Sequence, residues 1–317
     1  MRTLVGLAVS AAVAAASVYA FSPRPYPEQA PTQVRTDSMR INDLTTTGNR
    51  LVAVGDLGSV FYSNDGGVSW QGAALDRPFD VALTDVHFRD AAHGWASGGD
   101  GRVLATRDGG LSWTTLRVEK DVSEPLMGVW ASPEGTLFAY GSYGRFLASS
   151  DGGKTWQQRD IGVEDFHVNG VEGNSDGRAM LVGEQGMALK SADGGKSWQK
   201  LASFYHGSLF GVARLTADTW LAYGLRGNAY LTRDFGASWQ KLSVPMPVSL
   251  FGHARTADGR LLVAGQGGSV FELDAASAGL RLLKRTGPLA LTGVAMSGGA
   301  LVVAGETGLK RIAQEEQ

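Results

Sequence analysis

The sequence contains no cysteine among its 317 residues. That absence removes disulfide staples, thiol nucleophiles, thiolate metal sites and the lipid-attachment site of bacterial lipoproteins. Charge of one sign is not in excess either, since 29 Lys and Arg stand against 31 Asp and Glu for a formal net charge of −2. Electrostatics therefore give no reason to expect nucleic acid or an anionic membrane surface as the partner. Histidine is scarce, and His87, His93, His167, His206 and His253 show no His-Glu-x-x-His spacing, so no metal site is expected. Gly153-Lys154-Thr155 and Gly195-Lys196-Ser197 resemble the end of a phosphate-binding loop. However, Ala148 and Lys190 stand where that loop needs its first glycine, and no nucleotide or other cofactor is expected. No catalytic residue is nominated. Carboxylate chemistry of the glycosidase kind is the one enzymatic alternative left by these absences.

What is present begins with an address. Arg2 is followed by an apolar run from Leu4 to Phe21, broken by Gly6, Ser10 and Ser17, and then by Ser22-Pro23-Arg24-Pro25. A short basic start, an apolar middle and small residues before a turn are the layout of a secretory signal peptide. Val18-Tyr19-Ala20 supplies a cleavage site, so residues 1–20 read as a signal peptide, with an uncleaved N-terminal anchor as the alternative. The body is expected in the periplasm, or in a thylakoid lumen if the host is phototrophic. Residues 21–37 read as a lead-in segment.

From residue 38 to residue 317 the chain repeats. An octet, Ser/Thr-x-Asp-x-Gly-x-Ser/Thr-Trp, occurs five times, with its aspartate and tryptophan at Asp65/Trp70, Asp108/Trp113, Asp151/Trp156, Asp193/Trp198 and Asp234/Trp239. The tryptophans step by 43, 43, 42 and 41 residues. Two glycines three apart recur seven times, from Gly55/Gly58 to Gly305/Gly308, each pair after a short apolar stretch. A third mark, an apolar residue two places before Asp or Gly, also recurs seven times, from Ile41/Asp43 and Leu83/Asp85 to Leu291/Gly293. Four short β-rich runs per period of roughly 40–45 residues define a propeller blade. The fold class is all-β, a seven-bladed β-propeller with Asp-box (BNR) repeats, because strands this short must stack blade on blade to bury their faces. The seventh period stops without an octet, and residues around Gln33-Val34-Arg35 are expected to supply its missing outer strand. The sixth carries Phe271-Glu-Leu-Asp274 where an octet belongs, so its outer hairpin is expected to have decayed.

In the octet, Asp and Ser/Thr side chains accept from backbone amides that the tight turn leaves unpaired, the glycine opens the turn, and the Trp fills space between blades. The octet is read as architecture, not as a calcium loop, since it brings one carboxylate per turn. Function then falls to the opposite rim, where the double-glycine turns meet the blade-to-blade connections. Its variable tips include Arg102, Arg145 and Arg226, which together with Tyr143, Phe166 and Tyr205 form a candidate basic and aromatic face suited to a protein partner.

Turns such as Val54-Gly-Asp-Leu-Gly58 and Val182-Gly-Glu-Gln-Gly186, Asp boxes of the Ser-x-Asp-Gly-Gly-Lys-Thr/Ser-Trp kind, and an export signal together resemble the photosystem II stability/assembly factor family. The resemblance covers roughly residues 38–312. It implies a non-enzymatic, monomeric propeller that binds subunits of a membrane protein complex through an arginine-bearing face, with Arg102, Arg145 and Arg226 as candidates. The chain departs from bacterial phototroph members in lacking the lipid-attachment cysteine. This leaves two alternatives open: a periplasmic accessory of a membrane exporter, and a sialidase- or glycanase-like hydrolase.

Overall fold

A computed structural model describes residues 2–22, 35–119, 124–163, 165–274 and 279–313. The chain divides into two units, Met1–Val34 and Arg35–Gln317. The first holds one α-helix, Arg2–Phe21. Among the described residues no helix is long and apolar enough to cross a membrane.

The second unit is a ring of seven antiparallel sheets, the blades of a propeller. The first blade runs outward through Ile41–Thr47, Arg50–Gly55, Val60–Ser63 and Gln71–Gly72, and blades two to six repeat that antiparallel order, blade two adding Ala74–Leu75 parallel to its outer strand Ser112–Arg117. The second strand of every blade is apolar on both faces because a neighbouring blade lies on each side. Leu137–Gly141, Ala179–Gly183, Trp220–Gly224 and Leu261–Gly265 are buried from end to end. Continuous apolar runs of four to six residues, not alternating ones, are the sequence trace of that double burial. At the third mark each innermost strand carries a bulge, as between Ile41 and Asp43 or Leu126 and Gly128.

The hydrophobic core is not one cluster but seven, each straddling two adjacent blades. Val52, Val54 and Val60 of blade one pack with Leu83, Val86, Leu104 and Trp113 of blade two. Ile41, Leu51 and Phe61 of blade one pack with Ala295, Val302 and Leu309 of blade seven. That last cluster closes the ring, aided by Thr292 Oγ1 donating to Ile41 O at 2.8 Å and Arg311 Nε donating to Gly66 O at 3.2 Å.

The octets act as expected. Asp65 Oδ1 accepts from the Val68 and Ser69 amides at 3.1 and 3.0 Å, and its Oδ2 accepts from Ser69 Oγ at 2.5 Å. Ser63 Oγ accepts from the Gly67 amide at 2.8 Å. Asp108, Asp151, Asp193 and Asp234 hold the same partners in blades two to five. The serine hydroxyl on Asp234 draws its pKa down to about 2. Trp113 is 2% exposed between blades one and two, whereas Trp70, Trp156, Trp198 and Trp239 are half-buried. Trp113 and Trp156 donate Nε1–H to Gly110 O and Gly153 O at 3.1 Å, binding the ring to its own turn.

Two expectations about the last blades change. The outer hairpin of blade six has not decayed. Ser269–Asp274 pairs with Gly279–Arg285 through the register Ser269↔Arg285 to Asp274↔Gly279. Freed of the octet, the two strands simply run longer. Blade seven has three strands among the described residues, Leu291–Ser297, Ala300–Gly305 and Gly308–Ala313. Gln33 and Val34 of the expected closing strand lie outside the described residues, and Arg35 belongs to no strand. Beside it, Thr36 O accepts from the Leu309 amide at 2.8 Å.

Because every blade interface is a separate cluster, loss of one buried Trp should weaken the whole ring. Trp113→Ala is expected to cost about 3–5 kcal/mol and Trp70→Ala less, read from denaturant unfolding with unchanged strand content by circular dichroism.

Candidate functional site

The double-glycine turns lie on the rim that receives the connections. In three pairs the second glycine donates its N–H to the incoming chain: Gly58 to Val81 O at 2.9 Å, Gly144 to Phe166 O at 2.8 Å, Gly186 to Gly207 O at 2.7 Å. The residue before it is held in the left-handed region, with φ of 54° at Leu57, 53° at Tyr143, 51° at Gln185 and 54° at Arg226. Non-glycine residues adopt that region at some cost. The turn therefore thrusts its third side chain outward, and Tyr143 is 62% exposed and Leu57 69%.

The three arginines share this rim but not one environment. Arg102 is only 6% exposed, its guanidinium 4.1 Å above the Phe79 ring, and its Nε and Nη1 find no hydrogen-bond acceptor. Burial pushes it below the ordinary arginine value. Arg145 is held in an ion pair with Glu119, which also pairs with Arg117. Only Arg226 is exposed, and its charge acts on the Tyr205 hydroxyl. The expected basic patch is corrected accordingly: one arginine is buried and one is tied into an ion pair. The aromatics divide as well. Tyr143 meets His167 edge-on at 5.0 Å, and His167 lies 3.6 Å from Glu184. Phe166 packs into the core between blades three and four, and Tyr205 against Tyr230 at 5.4 Å in that between blades four and five.

Gly173-Asn-Ser-Asp-Gly177 spells a Gly-x-Ser-x-Gly pentad that sequence reading overlooked. It forms the hairpin between Val168–Gly173 and Ala179–Gly183, with Ser175 exposed and no helix following. The strand-turn-helix setting of a nucleophile elbow is missing.

The axis holds groups that the sequence marked only as repeat positions. In four blades the residue between the apolar residue and Asp/Gly of the third mark is polar and reaches across to the next blade. Asn42 donates to Leu83 O at 2.8 Å, Thr84 to Leu126 O at 2.7 Å and Asn169 to Leu209 O at 2.8 Å, and Thr292 closes the circle on Ile41 O. Below this ring Asp43 accepts from the Val86 amide and Asp85 from the Val129 amide, both at 2.9 Å. Where the mark is Gly128 or Gly211, its cross-strand partner is Tyr140 or Tyr223, whose ring lies over the glycine. The Tyr140 hydroxyl then accepts from the Val171 amide at 3.3 Å, taking the aspartate's place. Tyr223 OH meets His253 Nδ1 at 2.7 Å, His253 Nε2 meets Glu172 at 3.0 Å, and Glu172 accepts from the Arg214 amide at 3.1 Å. That exchange of Asp for Gly plus Tyr was the available sequence signal.

Burial sets the protonation of this belt. Asp43 is pushed up to about 6, chiefly by burial, and Asp85 well above the carboxylate range by burial and then by the Asp43 charge. The charge of Asp43 disfavours ionisation of Asp85, so the pair retains a proton between its two acids. Burial pushes His87 down to about 4, leaving it neutral.

The chain is thus a seven-bladed Asp-box propeller with a loop-bearing rim and a polar axis. Within it, residues 131–279 match the family model described as Photosynthesis system II assembly factor YCF48, so blades three to six are YCF48-like in sequence. Among solved structures the chain is similar to "YCF48 bound to D1 peptide", with a TM-score of 0.68 and 20% identity over 92% of this chain and 100% of that one. YCF48 from Cyanidioschyzon merolae gives 0.68 and 16% over 90% and 98%. The WD40 propeller domain of Doa1 gives 0.68 and 14% over 88% and 94%. No curated protein matches the sequence.

The shared proton gives a signed prediction. A carboxyl whose folded pKa is raised stabilises the fold while protonated, and that stability is lost as pH climbs from its unfolded value toward its folded one. Stability should fall from about pH 4 through pH 6 and beyond, by roughly 3 kcal/mol for Asp43 alone. Asp85→Asn, whose amide can donate in place of the proton, should flatten that slope in thermal melts across pH 4–8. An equally steep slope would exclude the pair as its source.

Proposed function

We propose that this chain is an exported, non-enzymatic propeller that binds a subunit of a membrane protein complex on its double-glycine rim during assembly or maintenance. The observation that carries the reading is the family match over blades three to six, together with the full-length likeness to a YCF48 that holds a D1 peptide. The rim's chemistry supports it. Exposed Leu57 and Tyr143 offer apolar contact on rigid turns, and exposed Arg226 supplies a cation. The two unsatisfied guanidinium nitrogens of Arg102 are a cost that an acceptor from a bound chain would relieve. Residues 2–21 support export, to the periplasm or an equivalent compartment, and the ring's self-closure supports a monomer.

The hydrolase alternative is the weaker one. Glycoside hydrolysis needs two carboxyls free to face a sugar or a water, whereas Asp43 and Asp85 are committed to backbone amides of the following blades.

The test is affinity capture from host membranes with the purified propeller as bait. Arg226→Glu and Tyr143→Ala, both at exposed positions, should leave the melting temperature within about 1 °C, since exposed substitutions are nearly neutral. Together they should reduce recovery of membrane-protein subunits roughly tenfold, the effect of about 1.4 kcal/mol. Equal recovery by variant and wild type would remove the rim from the binding surface.

A further inference from the structure

On the propeller axis lies a cavity of about 400 Å3 whose walls divide in character. Blades three, five and six line it with half-buried Met127, Phe210 and Phe251, the two phenyl rings 5.4 Å apart. Blades one and two line it with Asp43, Asp85 and His87. His87 faces the cavity without a hydrogen-bond partner among the described residues, while every other titratable group on the wall is engaged. The cavity thus offers an apolar wall, a carboxyl pair holding one proton between two acids, and a neutral imidazole acceptor that nothing uses.

We propose that this axial cavity binds an organic cation, an alkylammonium or guanidinium group on an apolar stem. The stem lies against Met127, Phe210 and Phe251, and the head lies between the Asp43–Asp85 pair and His87. A cation can take the place of the shared proton, leaving both carboxylates ionised and the net charge of the site as it was, which neither a neutral solute nor an anion can do. The aromatic wall adds attraction for a weakly hydrated cation. A strongly hydrated metal ion gains nothing from phenyl rings, and among the described residues no three His, Asp or Glu side chains are grouped to hold one. The inference stands apart from the rim reading: the lining residues come from the innermost strands, not from the turns.

The pH dependence follows from every group facing the pair. These are His87 on blade two, Tyr140 on blade three, Glu172 on blade four, Tyr223 on blade five and His253 on blade six, while blade seven brings only Thr292. Burial keeps the two tyrosines protonated and His87 neutral, and Glu172 and His253 are engaged with each other at 3.0 Å. The proton displaced by a bound cation therefore comes from the pair, and affinity should rise with pH.

The probe is n-butylguanidinium, with n-butylamine beside it and butanol, butyrate and sodium chloride as controls, measured by isothermal titration calorimetry on the full chain. Expected are a dissociation constant of about 1 mM or tighter, proton release on binding, and roughly tenfold tighter binding at pH 7.5 than at pH 5.5. No response is expected to butanol or butyrate. Phe210→Ala and Asp43→Asn should each weaken binding at least about fivefold. Should Asp43→Asn fail to fold, the proton release and pH dependence of the wild type carry the test alone. A second arm compares putrescine with a short blocked peptide containing one arginine. Tighter binding of the diamine identifies a free solute as the ligand, and tighter binding of the peptide identifies a protein side chain. Absence of heat with both butyl cations, or binding that is insensitive to pH and to Phe210→Ala, would overturn the proposal.

Discussion

The structure depends on one constraint: no blade can bury its own faces. A four-stranded sheet of short strands exposes apolar surface on both sides, and only the flanking blades can cover it. The core is accordingly distributed over seven interfaces, and the ring stands only if the last interface forms. That is why blade seven, short of an outer strand among the described residues, still brings Val302, Ala304 and Leu309 against Ile41 and Leu51 of blade one. Thr292 performs for that junction what Asn42, Thr84 and Asn169 perform elsewhere, satisfying a backbone carbonyl of the next blade. The apolar interface supplies the driving force, and the axial hydrogen bonds fix its register.

Closing the ring brings seven innermost strands together at the axis, where their polar side chains must pair with one another or with backbone. Asp43 and Asp85 solve this by each taking an amide of the following blade and sharing a proton. In blade three the mark is Gly128, and Tyr140 delivers a hydroxyl to the same amide position from the adjacent strand. The belt is thus a structural solution that leaves a cavity with buried acids on one side and phenyl rings on the other. The rim carries the opposite bargain: residues such as Tyr143 and Arg226 sit at backbone angles that cost energy and hold their side chains out to solvent.

Most of the architecture was legible in the residues. The octets, the double glycines and the apolar-x-Asp/Gly mark have a local physical reason each: a turn to be capped, a tight approach to the incoming chain, and a bulge. Those reasons survive in any context, so blade number and the structural part of Asp65 or Asp234 could be read directly. The outer hairpin of blade six was misjudged because absence of the octet was taken for absence of the hairpin. The pairing of Ser269–Asp274 with Gly279–Arg285 needs no capped turn. Arg102 and Arg145 were misjudged for a different reason. A loop arginine looks alike in sequence whether it meets solvent, the Phe79 ring or the Glu119 carboxylate, and these partners lie in other segments.

By itself, then, the sequence determined what depends on neighbours along the chain: strand spacing, turn chemistry, the sevenfold count and the lack of thiol and phosphate-loop chemistry. Tertiary structure alone decided what depends on neighbours across the ring: which arginine is buried, which acids share a proton, and which glycine is covered by a tyrosine. The division has a physical origin, since backbone propensities act over a few residues while burial and charge are set by whatever the closed ring brings within a few ångströms.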